Sequence, residues 1–370
     1  MKAIVDTNLL LPIVTQLSRV ADKNHSIDAL KGVLIEADEE SGELHLTATN
    51  LLITLKASLK ASVSEPGSIV FLANYLCKVV KAAGGEKIVL ESDGKTITIQ
   101  SGSAYFVFPA LSGKAFPNVE PPIPEAVHEI TGICTLARQT IFAAINSEEH
   151  PTMKCIRLLF DKNGLASSAT DGSRFVVSHS AASGKADDNL LIPAKSFRVL
   201  ASISEDTDVF QVGKSGMYAV FSKPGSTFVC RLEPGNFFDP DAIIKNLKPI
   251  YGAKAPAKSF RSAVDLVSPL LDDNGLVELL VTKDGLRIAA DSKLGKSSTF
   301  LPAETSIQQE PKSAFYYPVK KLLENFEAFS GGHIVMLFSA RGELLIKGKD
   351  EYCFQVASAK PKQARKKKAA

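Results

Sequence analysis

The 370-residue chain lacks the local patterns on which most enzyme mechanisms rest. Its six histidines (His25, His45, His128, His150, His179 and His333) form no HExxH, HxH or other metal-spaced set. No GxSxG elbow is present, so a hydrolase triad has no starting point. Gly295-Lys296-Ser297 resembles the end of a phosphate loop, but the first glycine of that motif falls on Ala290, and Asp291 lies inside the would-be loop. A loop that works by close backbone approach to phosphates excludes both. The carboxylate pairs Glu148-Glu149 and Asp272-Asp273 sit in loop-like sequence and read as solvated surface. Five cysteines (Cys77, Cys134, Cys155, Cys230 and Cys353) are scattered, odd in number and free of any CxxC, which predicts reduced, mostly buried thiols rather than disulfides or zinc ligands. No apolar run reaches the length of a membrane span, and the N-terminus has neither the basic start nor the cleavage site of a signal peptide. The expectation is a cytoplasmic protein that is not an enzyme and carries no cofactor and no metal.

What is present is a globular composition, 45% hydrophobic and 22% charged. The net charge of +3 conceals a split. Lys360, Lys362, Arg365, Lys366, Lys367 and Lys368 place six positive charges in the tail with no acid, leaving a mildly acidic body. That tail has no large apolar residue, so a disordered segment over 359–370 is expected, with phosphate affinity, a partner contact or plain solubility as its alternatives.

The strongest internal signal is Leu165-Ala166-Ser167-Ser168-Ala169-Thr170-Asp171-Gly172-Ser173-Arg174-Phe175, a strand, a tight Asp-Gly turn and a second strand. Weaker copies are Leu46-Thr47-Ala48-Thr49-Asn50-Leu51 upstream and Ile288-Ala289-Ala290-Asp291-Ser292 downstream, with Asn50, Asp171 and Asp291 spaced 121 and then 120 residues apart. A second landmark agrees. The segments around Leu72-Ala73-Asn74, Pro193-Ala194-Lys195 and Pro318-Val319-Lys320 each open a helix from a strand, at intervals of 121 and 125 residues. Two independent series thus predict a threefold repeat, each repeat itself double, with a helix and strands occurring twice. The Pro-rich link Phe116–Pro124 and the Pro-, Gly- and Lys-rich stretch 245–258 mark its boundaries. The predicted domains are 1–118, 125–245 and 255–358, in the α+β class. The first helix is predicted over Thr7–Ala21, with Pro12 tolerated near its first turn.

Basic residues recur on the second helix of each repeat: Lys78 and Lys81, Lys195 and Arg198, Lys320 and Lys321. The first two pairs are three residues apart and share a helical face. Such recurrence suggests a basic surface for nucleic acid, whereas charge on one helix alone reads as solvated surface. Glu324 and Glu327 dilute the third helix.

At these residues the chain resembles the bacterial sliding clamp, the beta subunit of DNA polymerase III. The likeness is carried by Ala169-Thr170-Asp171-Gly172-Ser173-Arg174-Phe175, close to the family's threonine-aspartate-glycine-x-arginine segment, by Phe116-Pro117, by Ile192-Pro193-Ala194-Lys195 and by Arg231-Leu232-Glu233-Pro234-Gly235-Asn236-Phe237. The resemblance implies three DNA-clamp domains per subunit, each with two helices packed on antiparallel sheets, and a head-to-tail dimeric ring lined by helices. The implied function is that of a processivity factor. Such a ring encircles duplex DNA without reading sequence and tethers the replicative DNA polymerase catalytic subunit.

Further implied partners are an ATP-dependent clamp loader and repair polymerases that bind through short peptides; no membrane is implied. A hydrophobic peptide pocket between the second and third domains is implied at Cys155 (or Met153), Thr170, Gly172, Ser173, Arg174, Phe175, Phe238, Ile243 and Val356. The chain also departs from the family. Phe238 replaces a usual proline, Gln355-Val356-Ala357-Ser358 replaces the methionine-proline-methionine ending, and Lys23-Asn24-His25 and Asn74 stand where basic residues are common. These departures leave a specialised paralogue, serving a mobile-element or repair polymerase, as the alternative within the fold. A small-ligand protein of repeated α/β units is the alternative outside it.

Overall fold

A computed structural model describes residues 1–147, 149–184, 187–272, 275–307 and 314–359. Glu148, Asp273 and the basic residues from Lys360 onward lie outside the described residues. In chain order the elements begin with β1 (Lys2–Asp6), α1 (Thr7–Val20), β2 (Gly32–Asp38), β3 (Glu43–Thr49), β4 (Ile53–Lys60), β5 (Ser62–Glu65), β6 (Gly67–Leu72), α2 (Ala73–Ala83), β7 (Lys87–Ser92), β8 (Thr96–Ser101), β9 (Ala104–Pro109) and β10 (Leu111–Ser112). Next come β11 (His128–Ile130), α3 (Ile133–Thr140), β12 (Cys155–Asp161), β13 (Gly164–Thr170), β14 (Arg174–Ser180), β15 (Asp188–Pro193), α4 (Ala194–Ser202), β16 (Phe210–Ser215), β17 (Tyr218–Lys223), β18 (Ser226–Arg231) and α5 (Pro240–Asn246). The last are β19 (Pro249–Pro256), α6 (Ala257–Val267), β20 (Leu276–Thr282), β21 (Gly285–Ser292), β22 (Gly295–Pro302), β23 (Glu304–Ile307), β24 (Phe315–Pro318), α7 (Val319–Asn325), β25 (His333–Ser339), β26 (Glu343–Lys347) and β27 (Glu351–Val356).

Contacts group the chain into two units. The first comprises residues 1–134, 160–162 and 182–234, and the second 135–159, 163–181 and 235 onward. In the first unit one sheet runs β5-β1-β7-β8-β9 and a larger one β10-β6-β2-β3-β4-β18-β17-β16-β11. In the second, one sheet includes β12-β13-β14-β27-β26-β25-β19-β23 and the other runs β22-β21-β20-β24. The named pairings are antiparallel, joined mostly by short turns.

Helix α1 begins at Asp6, whose carboxylate accepts from the Asn8 N–H at 2.8 Å. Pro12 lies in the second turn, later than the sequence suggested. The helix absorbs the lost donor because Leu10, Val14, Leu17 and Val20 are all buried on its inner face. Helix α2 ends at Gly84 in the left-handed region (φ 65°), as its Gly-Gly signal predicts. Pro193 and Pro318 stand one position earlier than expected, as helix caps rather than first helical residues.

The stretch 240–258 holds two elements that its overall composition does not signal. Residues 240–246 form α5, capped by Asp239, whose carboxylate accepts from the N–H groups of Asp241 (3.0 Å) and Ala242 (3.3 Å). The stretch 245–258, whose composition marks a boundary, also contains β19, which pairs with both β25 and β23. Its alternating burial, with Tyr251, Ala253 and Ala255 inside, outweighs its prolines, which lie at the two ends of the strand.

Candidate functional site

The predicted turn is built twice with the same hydrogen bonds. In the second unit, Thr170 Oγ1 donates to Arg174 O (2.8 Å) and accepts from Gly172 N (3.0 Å), while Asp171 Oδ1 accepts from Ser173 N (3.0 Å) and Arg174 N (3.1 Å). In the first unit, Thr49 Oγ1 donates to Ile53 O (2.9 Å) and accepts from Leu51 N (3.1 Å), while Asn50 Oδ1 accepts from Leu52 N (3.0 Å) and Ile53 N (2.9 Å). Gly172 and Leu51 occupy the same left-handed position, at φ 83° and 70°. Asp291, aligned with Asn50 and Asp171 in sequence, is different. It lies inside β21 opposite Lys296, because the following hairpin turns later, before Gly295.

The strand leaving each of the two matching turns joins its sheet to a distant strand. β4 pairs with β18 from Cys230↔Ile53 to Ser226↔Ala57, and β14 pairs with β27 from Arg174↔Gln355 to Ser178↔Glu351. The alternation along β14 then divides its side chains between two faces. Ser178 donates to Gln139 Oε1 of α3 (2.6 Å), and Arg174 reaches α7 on the same side. Phe175 and Val177 face the other way and form an apolar cluster with Leu345 and Phe354, against which Phe238, Ile244, Leu247 and Tyr352 pack.

Arg174 is 4% exposed. Its Nε donates to Asp171 Oδ2 (3.1 Å), Nη1 to Lys321 O (2.9 Å), and Nη2 to Phe142 O (2.8 Å) and Glu324 Oε2 (2.6 Å), with the Phe142 ring centre 5.3 Å from the guanidinium carbon. Lys321 Nζ binds Asp171 Oδ2 (3.0 Å) and Ser173 Oγ (2.7 Å). Burial pushes the Asp171 carboxyl upward, but the Lys321 ammonium, the Ser173 N–H and hydroxyl and the Arg174 guanidinium outweigh it and hold the group below the usual carboxylate value.

These contacts revise the residue-level expectations. Cys155, Thr170, Arg174 and Phe175 are buried and offer almost no surface to a peptide. Cys155 Sγ lies 3.4 Å from Pro151 O, and Phe175 is covered by Phe354 (ring centres 4.9 Å apart) and Phe238 (5.2 Å). Phe238, which replaces a smaller residue in the resembled pattern, fills that apolar face from within the chain. Gly172, Ser173, Ile243 and Val356 are exposed, and Val356 N donates to Ser173 O at 3.1 Å, so the turn and the last strand share one rim. Met153 lies near Gly172, with its sulfur 3.8 Å from where a Cβ there would stand. Sequence reading missed Leu345 on β26, and it missed Phe354 although the alternation in Glu351–Val356 carried its signal. It also missed α5, whose signal was Asp239-Pro240.

Among the basic residues, Lys78, Lys81, Lys195 and Arg198 are exposed in the first unit, on α2 and α4. Helix α1 links these helices. Its Thr15 hydroxyl lies 3.5 Å from Cys77 Sγ of α2, and Gln16 Nε2 donates to Ile203 O at the end of α4 (3.0 Å). Exposed Arg19 on α1 adds a cation that the sequence reading did not single out. On α7, Lys320 is exposed, whereas Lys321 is turned to Asp171 and leaves the set of outward cations. Among the described residues, no group of three or more histidine, cysteine or carboxylate side chains is arranged to hold a metal ion, and no helix is long and apolar enough to cross a membrane.

Residues 1–120 match the family model of the DNA polymerase III beta subunit, N-terminal domain, and residues 131–240 that of its central domain. The beta sliding clamp of Bacillus subtilis (strain 168) is 24% identical over 364 residues, covering 92% of this chain and 93% of that protein. The beta sliding clamp of Synechococcus elongatus is 23% identical over 350 residues, with 89% and 90% covered. Among solved structures, the DNA polymerase sliding clamp of Bacillus subtilis superposes with a TM-score of 0.88 at 21% identity, over 98% of this chain and 100% of that one. The DNA polymerase III subunit beta of Pseudomonas aeruginosa gives 0.88 at 18% identity, over 97% and 100%.

Proposed function

We infer the function from membership: the chain belongs to the DNA polymerase III beta subunit family, whose N-terminal and central domains together match more than half of it. It is a DNA sliding clamp, a processivity factor without catalytic chemistry of its own, and its partners are DNA and a DNA polymerase. The match to two successive family domains is the observation that carries this reading.

In finer detail, the chain acts as three repeats, 1–118, 125–245 and 255–358, and two copies close head to tail into a ring around duplex DNA. Two free sheet edges suit that closure. β9 is an edge strand that exposes Tyr105 and Val107, and β22 is an edge strand that exposes Phe300. A β9 edge meeting the β22 edge of a second copy is a heterologous contact that closes after two steps and buries both edges. Lys78, Lys81, Lys195, Arg198 and Lys320 supply phosphate attraction without base contacts, so the ring slides. The rim of Gly172, Ser173 and Val356, together with the exposed Ile243 of α5, receives short peptides from the polymerase and from repair polymerases, and an ATP-dependent loader opens the ring. The specialised-paralogue reading is favoured by one observation, Phe238 lying over Phe175. Capture of the host replicase from extract separates it from the ordinary clamp.

The test is solution mass together with retention on nicked circular and linear DNA at raised salt. A dimer retained on circles and lost from linear ends is the expected result. A monomer, or salt-sensitive binding equal on both DNAs, overturns the ring.

A further inference from the structure

We propose that Lys321 is a positioning residue for the partner-peptide rim, holding the turn at Asp171-Gly172-Ser173, and not a DNA-contacting residue. The proposal rests on the clamp reading for what the rim binds, and on geometry alone for what Lys321 does. The ammonium reaches Asp171 Oδ2 (3.0 Å) and donates to Ser173 Oγ (2.7 Å), both on the turn. Its own carbonyl accepts from Arg174 Nη1 (2.9 Å), and one helical turn further on Glu324 accepts from Arg174 Nη2 (2.6 Å). Helix α7 therefore grips the turn at three points, one of them the Lys321 side chain.

The turn in its place presents the exposed Gly172 and Ser173, and Ser173 O accepts from Val356 N (3.1 Å), the other member of the rim. Removing the Lys321 ammonium takes one donor from Ser173 Oγ and one from Asp171 Oδ2, which keep the bond from Ser173 Oγ to Asp171 Oδ1 (2.8 Å) and the Arg174 Nε donor (3.1 Å). The rest of the turn stays bonded through Thr170 and Asp171 Oδ1. The expected consequence is a loosened rim in a folded protein. Lys320, its neighbour on α7, is exposed and provides the contrast.

The experiment compares Lys321→Met, Lys321→Arg, Asp171→Asn and Lys320→Met in the full chain. Three readouts are used: binding of a fluorescein-labelled peptide from the clamp-binding segment of the polymerase catalytic subunit, the salt dependence of duplex DNA binding, and amide exchange at Ser173 and Val356. Lys321→Met is expected to weaken the peptide about 5- to 10-fold, the effect of a partly buried charged hydrogen bond. Exchange at Ser173 and Val356 quickens, and the salt slope is unchanged. Lys321→Arg restores most of the affinity, Asp171→Asn weakens the peptide in the same direction, and the double variant Asp171→Asn/Lys321→Met is less than additive. Lys320→Met lowers the salt slope by about one and spares the peptide. A Lys321→Met protein with native exchange at Ser173 and Val356, or one that binds peptide normally but loses salt dependence, overturns the proposal. Failure of the wild-type protein to bind any polymerase peptide counts against the clamp reading instead, and the exchange measurement still decides the role of Lys321.

Discussion

Replacing Arg174 with alanine tests whether this side chain serves the interior or a peptide. Its guanidinium is bonded to two carboxylates and two main-chain carbonyls. Truncation strands Glu324, takes one donor from Asp171, which keeps the Lys321 ammonium, and leaves the carbonyls of Phe142 and Lys321 without that donor. Removing one partner of a buried ion pair costs about 3–5 kcal/mol. Glu324 is 32% exposed and partly screened by water, which places the expected loss near the lower end, about 3 kcal/mol. Native-state hydrogen exchange reads this directly, since amides of β14 and β27 that open only with their sheet should exchange roughly 150-fold faster. Arg174→Met with Glu324→Leu should recover part of the loss of Arg174→Met alone, because one stranded carboxylate is removed. Exchange accelerated by less than about tenfold would refute the structural role. The guanidinium would then be free to serve as a contact, as the family resemblance implied.

Three further outcomes follow from the same contacts. Phe238→Ala should uncover Phe175 and strengthen binding of an apolar clamp peptide several-fold, at a stability cost of about 2 kcal/mol for a half-buried ring; fluorescence polarisation showing equal or weaker binding would mean that Phe238 is itself the contact. The Asp171 carboxyl is held below its usual value of 3.8, so its contribution to stability is complete above that value and is lost as pH falls through the lower folded-state value. Urea titrations of wild type and Asp171→Asn should therefore differ by a constant amount from pH 8 to about 5 and converge only below about 3.8; a gap already closing at pH 6 contradicts this. Deleting residues 360–370 removes six cations and should flatten the log–log salt dependence of DNA binding by up to about 5; an unchanged slope rules out phosphate affinity and leaves a partner contact or solubility as the tail's role.

Local chemistry made part of this fold readable and long-range pairing hid the rest. The turn at Asp171 announced itself through residues whose side chains bond their own backbone, and the openings of α2, α4 and α7 through a strand running into a helix. Register between distant strands has no such marker. Nothing near Ile53 or Arg174 in sequence indicates that β4 pairs with β18 or β14 with β27, yet these pairings explain why the two contact units cut through the middle repeat. The site suffered from the same limit. Thr170, Arg174 and Phe175 were legible as special residues, but whether they face a partner or the interior depends on Phe142, Glu324, Phe238 and Phe354, which are remote in the chain.

The doubled turn permits a direct comparison of one backbone carrying two side chains. At the left-handed position Gly172 is unstrained, while Leu51 at φ 70° bears the steric cost of an L-residue there, about 1–2 kcal/mol. Leu51 is 52% exposed and recovers little of that by burial. Glycine at position 51 would relieve the strain and give back about 0.5–1 kcal/mol through the greater freedom of the unfolded chain. Leu51→Gly should therefore be neutral or stabilise the first unit by up to about 1 kcal/mol. Gly172→Leu carries the strain in the other direction, its Cβ standing at ordinary contact distance from the Met153 sulfur (3.8 Å), so it should destabilise by about 1–2 kcal/mol through the backbone alone. Paired urea unfolding curves give both values. If Leu51→Gly instead costs more than 1 kcal/mol, the exposed leucine has packing that offsets its backbone, and the two turns are alike in hydrogen bonding but not in energy.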